Sequence, residues 1–283
     1  MIIIGGSFAV SDIWKYGGPK DLDVIYLTWN PGLYVLLVKY KSQLEVSLSE
    51  KFGIEVSFSP FLFFSPKLIG NLFLALVFDR TNFSSPLNKL AKAFIPKRWL
   101  LLYSVYAFLG LYSAESLRDC VKYGAMFAEN LVLYKGLYLP KSWFKTVILG
   151  YMISQELNLL AHSDLFLSLV RSIKECTVNL DIMRQLAVKV FIENLSLFKI
   201  QVDKLDRALI RLGVLDEPFR TLHEMMYKFI SKRIVRWRLS VRILANLAKY
   251  VVATRGKARP DVISKVFNLY KLQIPVLSPL AYP

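Results

Sequence analysis

Three carboxylates and a glycine turn near the N-terminus have the residue types and spacing for phosphoryl chemistry. Asp21-Leu22-Asp23-Val24-Ile25-Tyr26-Leu27 reads as a β-strand. Side chains two apart leave a strand on the same face. Asp21 and Asp23 therefore point together, with Leu22 and Val24 on the other face. Two carboxylates that close repel unless a cation sits between them, and Mg²⁺ is the default hard ion for such oxygen ligands, with Mn²⁺ as its substitute. Gly53-Ile54-Glu55-Val56-Ser57-Phe58 is a second strand pattern carrying one acid. Glu55 beside Asp21 and Asp23 would complete a site for two ions roughly 3.5–4 Å apart, which activates an attacking oxygen and stabilises a leaving pyrophosphate. Met1-Ile2-Ile3-Ile4 is an apolar strand that breaks into Gly5-Gly6-Ser7. The glycines let the backbone approach a phosphate closely, and Ser7 adds a hydroxyl donor. The bland alternative is a glycine turn, a solvated turn acid and an exposed strand acid.

The elements that must position these groups follow from the pattern around them. Phe8 to Tyr16 predicts a short helix closed by Gly17-Gly18-Pro19. Asn30-Pro31 is a helix start, with a capping side chain and then proline at the first helical position. The helix is expected from Gly32 to Phe52, with Gly53 stopping it. The Glu55 strand follows, and residues 71–78 read as a further buried strand. The order predicts a small mixed sheet with helices, bounded by the Ser- and Pro-containing stretch 79–96. Beyond it apolar residues recur at three and four. Helices are expected near 97–112, 114–135, 140–160, 164–175, 178–200, 202–212, 217–253 and 260–271. The fold class is therefore α+β: a mixed-sheet domain over 1–95, an all-α helical bundle over 96–273 and a proline-punctuated tail over 274–283.

Gly6-Ser7, Asp21, Asp23 and Glu55, in that order and each on its element, resemble the motif of the DNA polymerase β nucleotidyltransferase superfamily. The resemblance covers roughly residues 1–80. Glu55 stands where the family more often has Asp. An α/β domain followed by a bundle is similar to the kanamycin nucleotidyltransferase-like branch and to minimal nucleotidyltransferases that pair with helical HEPN domains. The resemblance implies a transferase that moves a nucleoside monophosphate from NTP to an acceptor. Gly5, Gly6 and Ser7 would hold the nucleotide, and Asp21, Asp23 and Glu55 would serve as catalytic metal ligands. In the kanamycin branch the second domain supplies a carboxylate as general base, a role open here to Glu115, Glu129 or Glu156. HEPN ribonucleases carry Arg and His with four to six residues between them. Neither His162 nor His223 has an arginine so placed, so that activity is not carried over.

Charge bears on partners. The chain of 283 residues has 37 Lys and Arg against 21 Asp and Glu, a net of +16. Residues 181–283 hold 19 Lys/Arg against 8 Asp/Glu, or +11 of that +16. From Lys228 to Arg259 there are ten Lys/Arg and no acid. Ile230, Ile234, Trp237, Val241, Leu244 and Ala248 mark a buried stripe, and the basic residues fall off it, giving a cationic amphipathic helix. Lys232, Arg236 and Arg242 on that helix, and Arg255, Lys257 and Arg259 in the loop after it, are the candidate nucleic-acid contacts. Such contacts neutralise phosphates without reading sequence. The acceptor expected from this charge is RNA, most simply a tRNA-like end. A non-catalytic basic scaffold for nucleic acid or a partner protein is the alternative from a different class.

Mean hydropathy is high, at +0.39. The longest apolar run, Trp99 to Ala114, falls short of the roughly 20 residues that span a bilayer, so no membrane span is expected. No positively charged stretch precedes the first apolar run, so it does not read as a secretory signal. Cys120 and Cys176 form no metal or disulfide pattern and read as packing residues, which points to a reducing, cytoplasmic compartment.

Overall fold

The computed structural model describes residues 2–5, 8, 10–19, 21–62, 97–137, 139–210 and 239–271. The protein mixes α and β structure and is mostly helical. The described residues form two compact units, one of residues up to 62 together with 139–146, the other of the remaining residues from 97 onward. The predicted strand 71–78, the predicted boundary 79–96 and the tail 274–283 lie outside the described residues.

The first unit is built on a three-stranded sheet in the order β1 (Ile2–Gly5), β2 (Asp21–Thr28), β3 (Glu55–Leu62). β1 runs antiparallel to β2, and β3 runs parallel to it, so the small sheet is mixed. Parallel neighbours need a crossover connection, here α1 (Pro31–Lys39) and α2 (Lys41–Phe52). Asn30 caps α1 by accepting the amide of Leu33 at 3.1 Å, with Pro31 next. The single helix expected from 32 to 52 is divided at Tyr40. Gly53 ends α2 in the left-handed region, at φ 66°. The α2 side chains then serve β3. Ser49 Oγ accepts the Val56 amide at 2.9 Å, and Glu45 Oε1 accepts the Phe58 amide at 2.8 Å. Pro60 follows in the same phase with no N–H to satisfy, so this side of β3 loses no bond there.

Within the helix expected over Phe8–Tyr16, the described residues 13–16 form a 3₁₀ turn, Ile13–Tyr16, closed by Gly17 at φ 90°. Asp12, at the N-terminal end of that turn, is buried and does not cap it, being engaged elsewhere. Its Oδ1 accepts the Trp143 amide at 2.9 Å, and its Oδ2 accepts the Phe144 amide at 3.0 Å and the Ser142 hydroxyl at 2.8 Å. Ser142 Oγ in turn accepts the Lys145 amide at 3.1 Å. The orphan amides at the start of α5 (Trp143–Glu156) are thus satisfied by a serine beside it and a carboxylate from far along the chain. Tyr16 packs its ring on Trp143, with centroids 5.8 Å apart. The start of this helix lies three residues beyond Pro140, where the sequence expectation put it, because Ser142 and Asp12 supply the cap.

The second unit holds α3 (Lys97–Tyr112), α4 (Leu117–Tyr134), α6 (Leu160–Glu175), α7 (Leu180–Leu197), α8 (Leu205–Ile210), α9 (239–253) and α10 (Pro260–Lys271), with most of α5. Every residue of α3 from Leu100 to Tyr112 is buried. Phe108 stacks on Phe191 of α7 at 4.3 Å with planes 5° apart. The apolar run that raised the membrane question is thus a core helix of 16 residues. Among the described residues no helix is long and apolar enough to cross a membrane. Cys120 is buried, and burial, with the nearby Asp119 charge, pushes its thiol up to about 12. Cys176 departs from the packing role expected of it. It is exposed and closes α6 in the left-handed region, at φ 53°.

Candidate functional site

The register of the sheet brings the sequence-predicted acids to adjacent positions. Asp21 pairs with Glu55 and Asp23 pairs with Ser57 across β2 and β3. Gly5, the last residue of β1, pairs with Asp23. Paired residues of neighbouring strands project to the same side, and residues two apart share a face. One face therefore presents Asp21 and Asp23 on the central strand, with Glu55 and Ser57 on one flank and the end of β1 on the other. Leu22, Val56 and Phe58 are buried on the opposite face. Asp21 and Asp23 are half-buried, while Glu55 and Ser57 are exposed. The chain leaves the sheet at Gly5 beside Asp23, which is where Gly6 and Ser7 follow. Those two residues lie outside the described ones.

Among the described residues no three His, Cys, Asp or Glu side chains close into a group that could hold a metal ion. The backbone register supplies the adjacency of Asp21, Asp23 and Glu55. Like charges a few ångströms apart repel, and an all-oxygen donor set of this kind suits a hard divalent cation. The residue types and their register positions fit such an ion.

Other carboxylates are committed to structure. Asp12 is one, and its charge adds to burial in raising the Tyr16 hydroxyl above its ordinary range. Glu193 is a second. Its carboxylate accepts the amides of Ala161 and His162, both at 3.1 Å, at the start of α6. Its Oε2 also lies 2.6 Å from Nδ1 of the fully buried His162. Burial pushes the Glu193 carboxyl up, but the hydrogen bonds from His162 and the two amides outweigh it and hold the group below its usual value. Nε2 of His162 faces Asn194 Oδ1 at 3.2 Å. This histidine is enclosed, so it has no route to a substrate. The three acids considered as general base divide. Glu129 is buried and accepts the Tyr103 hydroxyl, Glu156 pairs with Lys135 at 2.7 Å, and Glu115 is exposed.

The predicted nucleic-acid contacts divide too. Lys232 and Arg236 lie outside the described residues. Arg242, Arg255 and Lys257 are exposed. Arg259 is exposed but paired with Asp261 at 2.7 Å. Lys249, another base of the tract, is held by Asp206 at 2.5 Å, and the pairing lowers the Asp206 carboxyl. Reasoning from sequence missed the roles of Asp12 and Glu193. A carboxylate just before a short apolar segment is the only local signal for the first, and its partners lie about 130 positions away.

Comparison of the chain with protein-family models, curated proteins and solved structures returns no match.

Proposed function

We propose that the protein is a metal-dependent nucleotidyltransferase that moves a nucleoside monophosphate from NTP to an acceptor hydroxyl, with RNA as the acceptor. The observation that carries this reading is the register: Gly5 opposite Asp23, and Asp21 opposite Glu55, on one face of a mixed sheet. In the reaction the acceptor hydroxyl gives up its proton and its oxygen bonds to the α-phosphorus. The bond from that phosphorus to the bridging oxygen breaks, and pyrophosphate leaves. Asp21 and Asp23 would hold Mg²⁺ or Mn²⁺, and Glu55 would ligate the ion nearer the acceptor and help take its proton. Bound there, the metal stabilises charge on the pyrophosphate and activates the attacking oxygen. Gly5, Gly6 and Ser7 would approach the β- and γ-phosphates at the end of β1, in keeping with a reaction whose catalysis is mostly positioning and charge stabilisation.

The test is transfer of label from α-³²P-NTP to RNA with Mg²⁺ or Mn²⁺ present. Asp21→Asn with Asp23→Asn should remove turnover by about three orders of magnitude or more, the size expected when several electrostatic contributors are lost together. Turnover that survives the double substitution refutes the assignment. RNA binding without any metal-dependent NTP binding would favour the non-catalytic scaffold.

A further inference from the structure

The described cations of the C-terminal tract are not equivalent. In α9, Val241, Leu244, Ala245, Ala248 and Val251 are buried. Arg242, Asn246 and Tyr250, spaced by four, fall on one exposed face. That stripe is about 12 Å long at 1.5 Å per residue. It leads into the turn that carries Arg255 and Lys257, both exposed. The turn is pinned from the core. The Tyr112 hydroxyl lies 2.8 Å from the Gly256 carbonyl oxygen and 2.7 Å from that of Ala258, so it is shared between the two. Arg255 and Gly256 both take left-handed backbone, at φ 51° and 74°. Lys249 and Arg259 are engaged by Asp206 and Asp261. Among the described residues Arg242, Arg255 and Lys257 form no ion pair, and residues 239–259 contain no acid. Tyr250, 55 % exposed, is the one aromatic side chain on this stripe.

We propose that the outer face of α9 and the turn after it form a contact surface for single-stranded RNA. Arg242, Arg255 and Lys257 would take phosphates, Tyr250 would stack on a base, and Asn246 would offer its amide between them. This names the form of the acceptor and so rests on the transfer reaction proposed above. Cations along the backbone together with an aromatic platform hold single strands, because every unpaired base offers a π-face. A duplex keeps its base faces stacked, so an isolated tyrosine on a convex helix gains nothing from it. An anionic lipid surface would draw the three cations but offers no base for Tyr250 to stack on, and the apolar face of α9 that could insert is buried in the core.

Fluorescence anisotropy of the full chain with a labelled oligouridylate, without nucleotide or divalent metal, tests this separately from the chemistry. Tyr250→Ala should weaken single-strand binding by about 5- to 150-fold, the range of one lost base stack. Tyr250→Phe should restore it. Arg255→Ala with Lys257→Ala should lower the slope of log affinity against log salt by roughly 1.4, as two phosphate contacts to a single strand require. Equal loss of binding to a duplex of the same length, no effect of Tyr250→Ala, or binding to phosphatidylserine vesicles in place of RNA would each overturn the proposal. Because no nucleotide is present, a negative result removes this surface and leaves the acids of the sheet to their own test.

Discussion

Two sets of carboxylates in this protein have opposite settings. Asp12 and Glu193, in different units, each sit at the start of a helix and accept two of its amides, Trp143 and Phe144 in one case, Ala161 and His162 in the other. Each also takes a side-chain partner, Ser142 or His162. A charged acceptor aimed at orphan amides is favoured by both the hydrogen bonds and the helix dipole. Asp21, Asp23 and Glu55 instead stand in neighbouring register positions on a sheet face, where folding brings like charges together. The first arrangement stabilises a fold. The second places acids side by side on a sheet face, the arrangement in which oxygen ligands would meet a hard divalent cation.

The contrast can be broken by substitution. Asp12→Ala leaves two helix amides and a buried serine hydroxyl without their acceptor. It should cost about 3 kcal/mol of stability in urea denaturation, from the loss of a cap and of charge-assisted hydrogen bonds. Asp21→Asn with Asp23→Asn should cost distinctly less, since both residues are only half-buried and asparagine keeps the size and hydrogen-bonding capacity of the side chain. A loss equal to that of Asp12→Ala would make the sheet acids structural.

A smaller effect, in pH, sharpens the same point for Glu193. Its folded carboxyl is held below the ordinary value, so the unfolded chain takes up the proton first as pH falls. The stability it contributes is full above the unfolded value of about 4.3 and is lost as pH drops through the lower folded value. Glu193→Gln should flatten part of the acid limb of stability below about pH 5, leaving the share of Asp206, which Lys249 also holds low. An unchanged acid limb would mean that the His162 and amide contacts do not set the Glu193 carboxyl.

Much of this arrangement is legible in the sequence wherever the signal is local. Alternation put Asp21 and Asp23 on one strand face, Asn30-Pro31 marked the start of α1, and Gly53 marked the end of α2. Periodicity at three and four outlined the helices of the second unit, including the 16-residue α3. What stayed hidden depends on residues far apart in the chain. Phe8–Tyr16 has the composition of a short helix, yet its described residues 13–16 form a 3₁₀ turn, and Asp12 before them is committed to α5. Pro140 reads as a helix start, yet the helix waits for the serine and the remote carboxylate that cap it. The pairing of Asp21 with Glu55 is a matter of register, which the two strands do not declare separately. For the cationic tract, sequence gave the exposed face but not which bases are already neutralised, since Asp206 lies 43 positions from Lys249.

On the proposed reading, the sheet face of Asp21, Asp23 and Glu55 binds a divalent metal together with a nucleoside triphosphate. Electron paramagnetic resonance of free Mn²⁺ during titration with the protein, with and without ATP, measures this directly. The account predicts loss of the free-Mn²⁺ signal on adding protein, enhanced by ATP beyond what ATP alone chelates, and no such enhancement in Asp21→Asn with Asp23→Asn. Identical titrations of the native and doubly substituted proteins would contradict it.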